Sequence, residues 1–384
     1  MLEAAGRREP AVLLDLGSAL SDCGDLREAE RVLTAAYDQA SELGEDNLAA
    51  RASIDLSFNH VLVDPSIPVG KMLRVAEDAV RTFERGNDHG GIARAWHHVG
   101  VVHWIQCRAA EMEDVLERAL THAERARDWQ MQSRILGYLA RAIMTGPRPV
   151  PEAIARCTSI LERAGDDVVL IAVTETMLGM LEAMRGKFSL ARSYAEAATG
   201  RLEAVGLSVT VAVLQMYSGW IELMSETPAR ALPGMQDAYD LLERIGEGQR
   251  RATLAAVLGR VMFFHGDLAA ADRYLRISED CASPDDVASQ TVWRGTRARL
   301  LAVTGDLPDA QQLADSAVEA LSATDYVRLQ GDALVDRATV LSALGQDYLA
   351  TNDLQDARAL FERKGITSSL ETLQRSFAAS AATR

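Results

Sequence analysis

The 384-residue sequence is poor in cysteine, proline, aromatic residues and positive charge. Its four cysteines, Cys23, Cys107, Cys157 and Cys281, form no CxxC pair. That spacing offers neither a zinc knuckle nor a redox motif, so reduced thiols and no metal are expected. Lysine and arginine number 40 against 55 aspartates and glutamates, a formal charge of −15. A phosphate backbone or an anionic membrane requires a basic face, which excludes nucleic acid and membrane as the main partners. No run approaches the ~20 apolar residues of a membrane span. The opening MLEAAGRREP lacks the apolar stretch of a secretory signal, and a cytoplasmic protein is expected. Ten prolines and 5% aromatics, beside abundant alanine, leucine and arginine, suit helices.

What is present is a repeated phrase. GDLREAERVL at 24–33 returns as GDLAAADRYL at 266–275 and GDLPDAQQLA at 305–314. Anchored on Ala29, the same setting of a turn followed by an amphipathic stretch recurs at Gly70, Met112, Ala153, Ala191, Ala231, Ala271, Ala310 and Ala350. A period of about forty residues marks a solenoid of helical hairpins, in which each unit buries its apolar face only by stacking on its neighbours. Gly24, Gly266 and Gly305 suit a left-handed helix end. The aspartate after each is placed to cap the next helix, and the leucine to plug the hairpin. Gly179, Gly219 and Gly259 fall mid-helix, where glycine costs roughly 1 kcal/mol relative to alanine; close helix approach is the expected compensation.

Prolines fit this register. Pro65, Pro68, Pro147, Pro149, Pro151, Pro228 and Pro308 fall in or beside turns. Pro10 and Pro284 are placed at helix starts, the latter with Ser283 as cap, and Pro233 is expected to kink a second helix. The second and fourth units fit the pattern poorly, and irregular turns are expected there.

The run Leu13, Leu16, Gly17, Leu20, Gly24, Asp25, Leu26, Ala29, Leu33, Ala36, with Trp96, Gly100 and Ala119 in the third unit, resembles the tetratricopeptide repeat (TPR). The resemblance implies an all-α, right-handed superhelix of about nine TPR-like hairpins, with helices about a turn longer than the usual 34-residue repeat gives. Residues 1–8 are assigned to an N-terminal extension, 9–375 to the solenoid and 376–384 to a disordered tail.

Convergent chemistry is scarce. RGKF at 185–188 and VGKM at 69–72 carry the Gly-Lys pair of a P-loop without its cradle, so no nucleotide or other cofactor is expected. In WHHVGVVHWIQC at 96–107, His103 and Cys107 lie four apart but occupy packing positions of the repeat. SEDCASPDD at 278–286 gathers acids that two helix termini explain. In a TPR superhelix the first helices line the concave face. Counting along them places His97, Val101, Trp104, Tyr138, Met180, Met216, Trp220, Arg260, Phe263 and Arg299 on the groove. Trp104, Trp220 and Phe263 then either anchor a protein or peptide partner or are covered by superhelical curvature. Arg260 and Arg299 are placed to pair a carboxylate.

A narrower resemblance rests on GIARAWHHVGVVHW, LEAMRGKFSLAR, SEDCASPDDVASQTVWRGTRARLLA and ARALFERKG. These stretches are similar, in order, to the C-terminal TPR region of bacterial signalling proteins that also carry a class III adenylate/guanylate cyclase domain and a STAND/AAA-type ATPase domain. The 384 residues contain neither a P-loop nor a cyclase pair of metal-binding aspartates. The resemblance therefore implies a non-catalytic regulatory module that binds a protein or peptide, with an upstream ATPase/cyclase region as a further partner. A receptor for a small ligand or peptide that controls such a region is the alternative.

Overall fold

The computed structural model describes residues 9–382. No strand occurs among them, and nineteen helices follow one another along the chain. The first six are α1 (Pro10–Cys23), α2 (Leu26–Leu43), α3 (Asp46–Val63), α4 (Val69–Arg85), α5 (His89–Ile105) and α6 (Ala109–Ala126). Then come α7 (Trp129–Thr145), α8 (Val150–Arg163), α9 (Val168–Met184), α10 (Phe188–Ala204), α11 (Ser208–Met224) and α12 (Leu232–Arg244). The last seven are α13 (Gln249–His265), α14 (Leu268–Cys281), α15 (Val287–Thr304), α16 (Leu307–Ala320), α17 (Val327–Ala343), α18 (Asp347–Lys364) and α19 (Thr367–Ala382). They pair into nine hairpins plus a closing helix, an all-α solenoid of TPR type. The expected extension at 1–8 lies outside the described residues, as do the final two residues, while α19 runs on to Ala382.

The repeated phrase is a turn. Gly24 has φ 85° and its N–H closes on Leu20 and Ser21, while the Asp25 carboxylate accepts from the Glu28 N–H at 3.4 Å. Gly266 and Asp267 repeat this, with the Ala270 N–H at 2.9 Å. In the third copy Gly305 keeps φ 98°, but Asp306 makes no capping bond; Pro308 sits in that first turn and removes one of the donors. Cys107 fills the glycine position of the third hairpin, buried at φ 56°.

Two proline assignments are corrected. Pro233 does not kink α12: it lies in the first turn, after a 3-10 turn at Pro228–Arg230, where its missing N–H costs nothing. α15 begins at Val287 and is capped by Asp286, which accepts from the Ser289 N–H at 3.1 Å. Pro284 therefore stands in the preceding connection, and the Ser283 hydroxyl accepts from the Asp285 N–H at 3.2 Å. The second and fourth hairpins do turn irregularly, α3 and α7 ending in extended residues Asp64 and Gly146.

The mid-helix glycines bring paired helices together. A Cβ on Gly219 would stand 2.6 Å from the Met235 sulfur, and one on Gly259 2.8 Å from Leu275 Cγ. On Gly179 it would meet backbone, the Ala191 carbonyl oxygen at 3.0 Å.

The superhelix winds far enough to touch itself. The Gly248 N–H donates to the Leu62 carbonyl at 2.8 Å, and the Val69 N–H, at the start of α4, donates to the Asp285 carboxylate at 3.0 Å. The Asp325 carboxylate accepts from the Ala109 and Ala110 N–H groups at 2.5 and 2.8 Å, capping α6 from across the coil. The Lys364 ammonium, fully buried, donates to the Arg148 carbonyl at 3.1 Å and to that of Gly146. In three of these contacts the partners are 216 residues apart. The contacts thus advance one hairpin at a time on both coils. α4 and α6 have no capping side chain of their own, so the later coil supplies the acceptors their exposed N–H groups need.

Gly179→Ala is expected to destabilise the protein by about 1–3 kcal/mol, because the Ala191 backbone cannot move aside. Gly200, in α10 with nothing within 4 Å, should gain about 1 kcal/mol as alanine. Urea unfolding of the two variants checks both signs.

Candidate functional site

Because the coils meet, the concave face is divided into two partly open chambers. The larger, about 430 Å3, is walled by α1, α3, α5, α7, α9, α11 and the first turn of α13. The smaller, about 90 Å3, is walled by α5, α7, α9, α11, α13, α15 and α17. Apart from Leu33 of α2 and a few capping positions, these walls are the first helices of the hairpins, as the repeat predicts. Trp104 borders both chambers.

The smaller chamber is apolar and sulfur-rich. Met144, Met180, Met184 and Met216 line it with Trp104 and Trp220. Unbranched, polarizable methionine adapts to irregular apolar shapes. Its polar groups are internally engaged: the Arg328 guanidinium stacks 4.0 Å over Trp220 and donates to Asp332 at 2.5 Å. Asp286 also borders it, accepting from the Thr253 and Ser289 hydroxyls at 3.1 and 2.5 Å. Burial pushes the Asp286 carboxyl above its usual range despite those bonds.

The larger chamber is mixed. His97 and Tyr138 line it, ring edge to ring face with centroids 4.9 Å apart. Three arginines reach it: Arg134 pairs with Asp22 at 2.7 Å, Arg141 donates to the Gly137 carbonyl at 3.1 Å, and Arg250 has no ion-pair partner among the described residues. His97 is 4% exposed, and neither of its ring nitrogens has a hydrogen-bond partner among the described residues. Burial, reinforced by His98 and Arg134, holds the His97 ring well below its ordinary pKa. His98 donates its Nδ1–H to the Arg94 carbonyl at 2.9 Å, and burial lowers its pKa to about 4 against the pull of Asp55.

Six of the ten counted groove residues therefore line a chamber: His97, Trp104, Tyr138, Met180, Met216 and Trp220. Four do not. Val101 is 1% exposed and packs into the core with Val61 and Met72, because the neighbouring hairpin closes over the stripe between His97 and Trp104. Arg260 is not free for a ligand: it forms a bidentate pair with Asp336 of α17, at 2.6 and 3.1 Å, and Arg299 adds a third bond at 3.1 Å. Burial opposes the Asp336 carboxylate, but the two guanidiniums overcome it and keep its pKa below the usual value. Phe263 stacks edge-on against Phe264 beneath Arg299. Counting from the repeat did not single out the chamber arginines, although Arg134 and Arg141 share one stripe of α7, seven residues apart.

No protein-family model matches the chain, and no curated protein matches it. Solved structures do. A Rap protein complexed with competence and sporulation factor superposes with a TM-score of 0.64 at 14% identity, over 92% of this chain and 99% of that one. The Rap conjugation gene regulator of the plasmid pLS20, in complex with the Phr* peptide, gives 0.55 at 13% identity, over 96% of this chain and 97% of its own. These likenesses show a shared TPR-type fold along nearly the whole length. No helix among the described residues is long and apolar enough to cross a membrane.

The buried histidines make a signed prediction. In the unfolded chain they take up protons near pH 6.5, which the folded rings refuse until the pH is far lower, so acid favours unfolding. The melting temperature should fall from pH 7 to pH 5, and it should fall less in His97→Phe, which keeps the ring but not the titration.

Proposed function

We propose that this chain is a TPR-type regulatory module that binds a short peptide, or an extended protein segment, inside its superhelix. The observation that carries the reading is the smaller chamber: an adaptable methionine and tryptophan cavity walled by seven first helices, opening beside a larger polar chamber. A cavity that joins an apolar anchor site to a polar one suits a chain with alternating chemistry. The two Rap structures that share the fold are complexes, one with competence and sporulation factor and one with the Phr* peptide, which supports the same use here. Trp104 and Trp220 are the anchors in this reading, which their position on the chamber wall supports. Arg260 and Arg299 are structural instead, tying α13 and α15 to α17.

The narrower resemblance of SEDCASPDDVASQTVWRGTRARLLA to cyclase and ATPase signalling proteins supports a bacterial signalling setting, with an associated ATPase/cyclase region as the element controlled. The acids that border the chambers serve as structural partners, Asp22 and Asp55 to arginines of neighbouring helices and Asp167 and Asp286 as helix caps, which supports a binding role over catalysis.

Affinity selection with mass spectrometry, using a pooled library of pentapeptides with free termini, tests the reading. The protein should retain peptides enriched in one large apolar side chain. Met216→Trp, which fills the smaller chamber, should reduce that retention by about tenfold or more, with circular dichroism unchanged. Retention of no peptide by the native protein overturns the proposal.

A further inference from the structure

We propose that the larger chamber is a carboxylate site, in which Arg141 and Arg250 hold an acidic group of the bound peptide and the unpartnered His97 ring bonds the peptide beside it. This rests on the reading of the chambers as a peptide site and assigns the chemistry of one half of it.

The argument begins with the charges around that chamber. Its acids are all engaged: Asp22 by Arg134 at 2.7 Å, Asp55 by Arg94 at 3.1 Å, and Asp167 by the Ser133 hydroxyl and the Leu170 N–H at 2.5 and 2.9 Å. Arg141 and Arg250 form no ion pair among the described residues. Arg141 donates to the Gly137 carbonyl, lies 5.0 Å over the Tyr138 ring and reaches the Tyr217 hydroxyl, while Arg250 donates its backbone N–H to Glu247 at 2.9 Å and its guanidinium acts on that carboxylate only through space. Two half-buried guanidiniums that form no ion pair among the described residues thus line one chamber in a chain whose formal charge is −15. Cations withdrawn from water are unfavourable until an anion meets them, and guanidiniums meet carboxylates with paired, directional bonds.

His97 supplies the independent observation. A neutral imidazole has one donor and one acceptor, and here neither is used although the residue is 4% exposed and lines the chamber. A buried polar ring left unsatisfied is unfavourable by itself, and a ligand offering both an acceptor and a donor removes that defect. A carboxylate with an adjacent amide N–H offers both. Trp104 borders the two chambers, so one peptide places an apolar side chain among the methionines and its acid among the arginines.

The shared chemistry has two sources, a C-terminal carboxylate or an aspartate or glutamate side chain. The pentapeptide library is therefore selected in two forms, free acid and C-terminal amide, on the native protein and on Arg250→Met. Arg250 has no side-chain bond to lose, so this variant is expected to keep its fold; Arg141→Met is the second variant. Removing either the ligand carboxylate or Arg250 should weaken retention about tenfold or more, the scale of a hydrogen-bonded charge. Loss on amidation identifies the C-terminus. Retention of amidated peptides enriched in Asp or Glu, lost in Arg250→Met, identifies a side chain. Equal retention of amidated peptides lacking Asp and Glu overturns the carboxylate site while the peptide reading stands. If neither form of the library is retained, the peptide reading falls and this proposal falls with it.

Discussion

The structure depends on a set of backbone groups that the early hairpins cannot satisfy for themselves. α4 and α6 begin at Val69 and Ala109 without a capping side chain, and the carbonyls of Gly146 and Arg148 lie in an extended connection. Asp285, Asp325 and Lys364 meet these groups from the later coil. A solenoid held only by neighbour contacts is open and flexes along its length. Here the periodic cross-coil bonds fix the pitch, and a concave groove becomes a pair of chambers.

That closure explains how one surface carries two chemistries. Where seven first helices converge, only long adaptable side chains fill the centre, and methionines with two tryptophans do so. Toward α1 and α3 the space is larger and is lined by charged side chains. The ion-pair knot of Arg260, Arg299 and Asp336 lies beside the narrow end and joins three successive first helices. A buried pair of this kind contributes less to net stability than to a unique arrangement when its bonds are complete. Its position suits that role, since the arrangement of α13, α15 and α17 sets the shape of the smaller chamber.

Local features of the fold were legible in the sequence, and long-range ones were not. Gly24, Gly266 and Gly305 announce left-handed turns because few other residues accept that geometry without strain, and the forty-residue steps of Gly179, Gly219 and Gly259 announce helix contact. Counting from the repeat found His97, Trp104, Tyr138, Met180, Met216 and Trp220 as chamber residues. It did not foresee that Val101 is covered or that Asp336 holds Arg260 and Arg299, because the count assumes an open groove of uniform curvature. Asp336 gave no local sign that it would claim both arginines, as it lies 76 residues beyond Arg260. Pitch is the missing quantity: it is decided by residues such as Val69 and Asp285, 216 apart, whose pairing no local pattern encodes.

The same long separation bears on how the chain is made. Each hairpin is a local unit that folds as it leaves the ribosome, and synthesis delivers the N-terminal hairpins first. The cap on α6 waits for Asp325, and the roof of the smaller chamber waits for Arg328 and Leu329. Until then Trp104, Met180 and Met216 face water along an unfinished concave strip. The nascent chain therefore passes through a long interval in which its most adhesive surface is uncovered, and a chaperone that recognises apolar strips has its best opportunity in that interval.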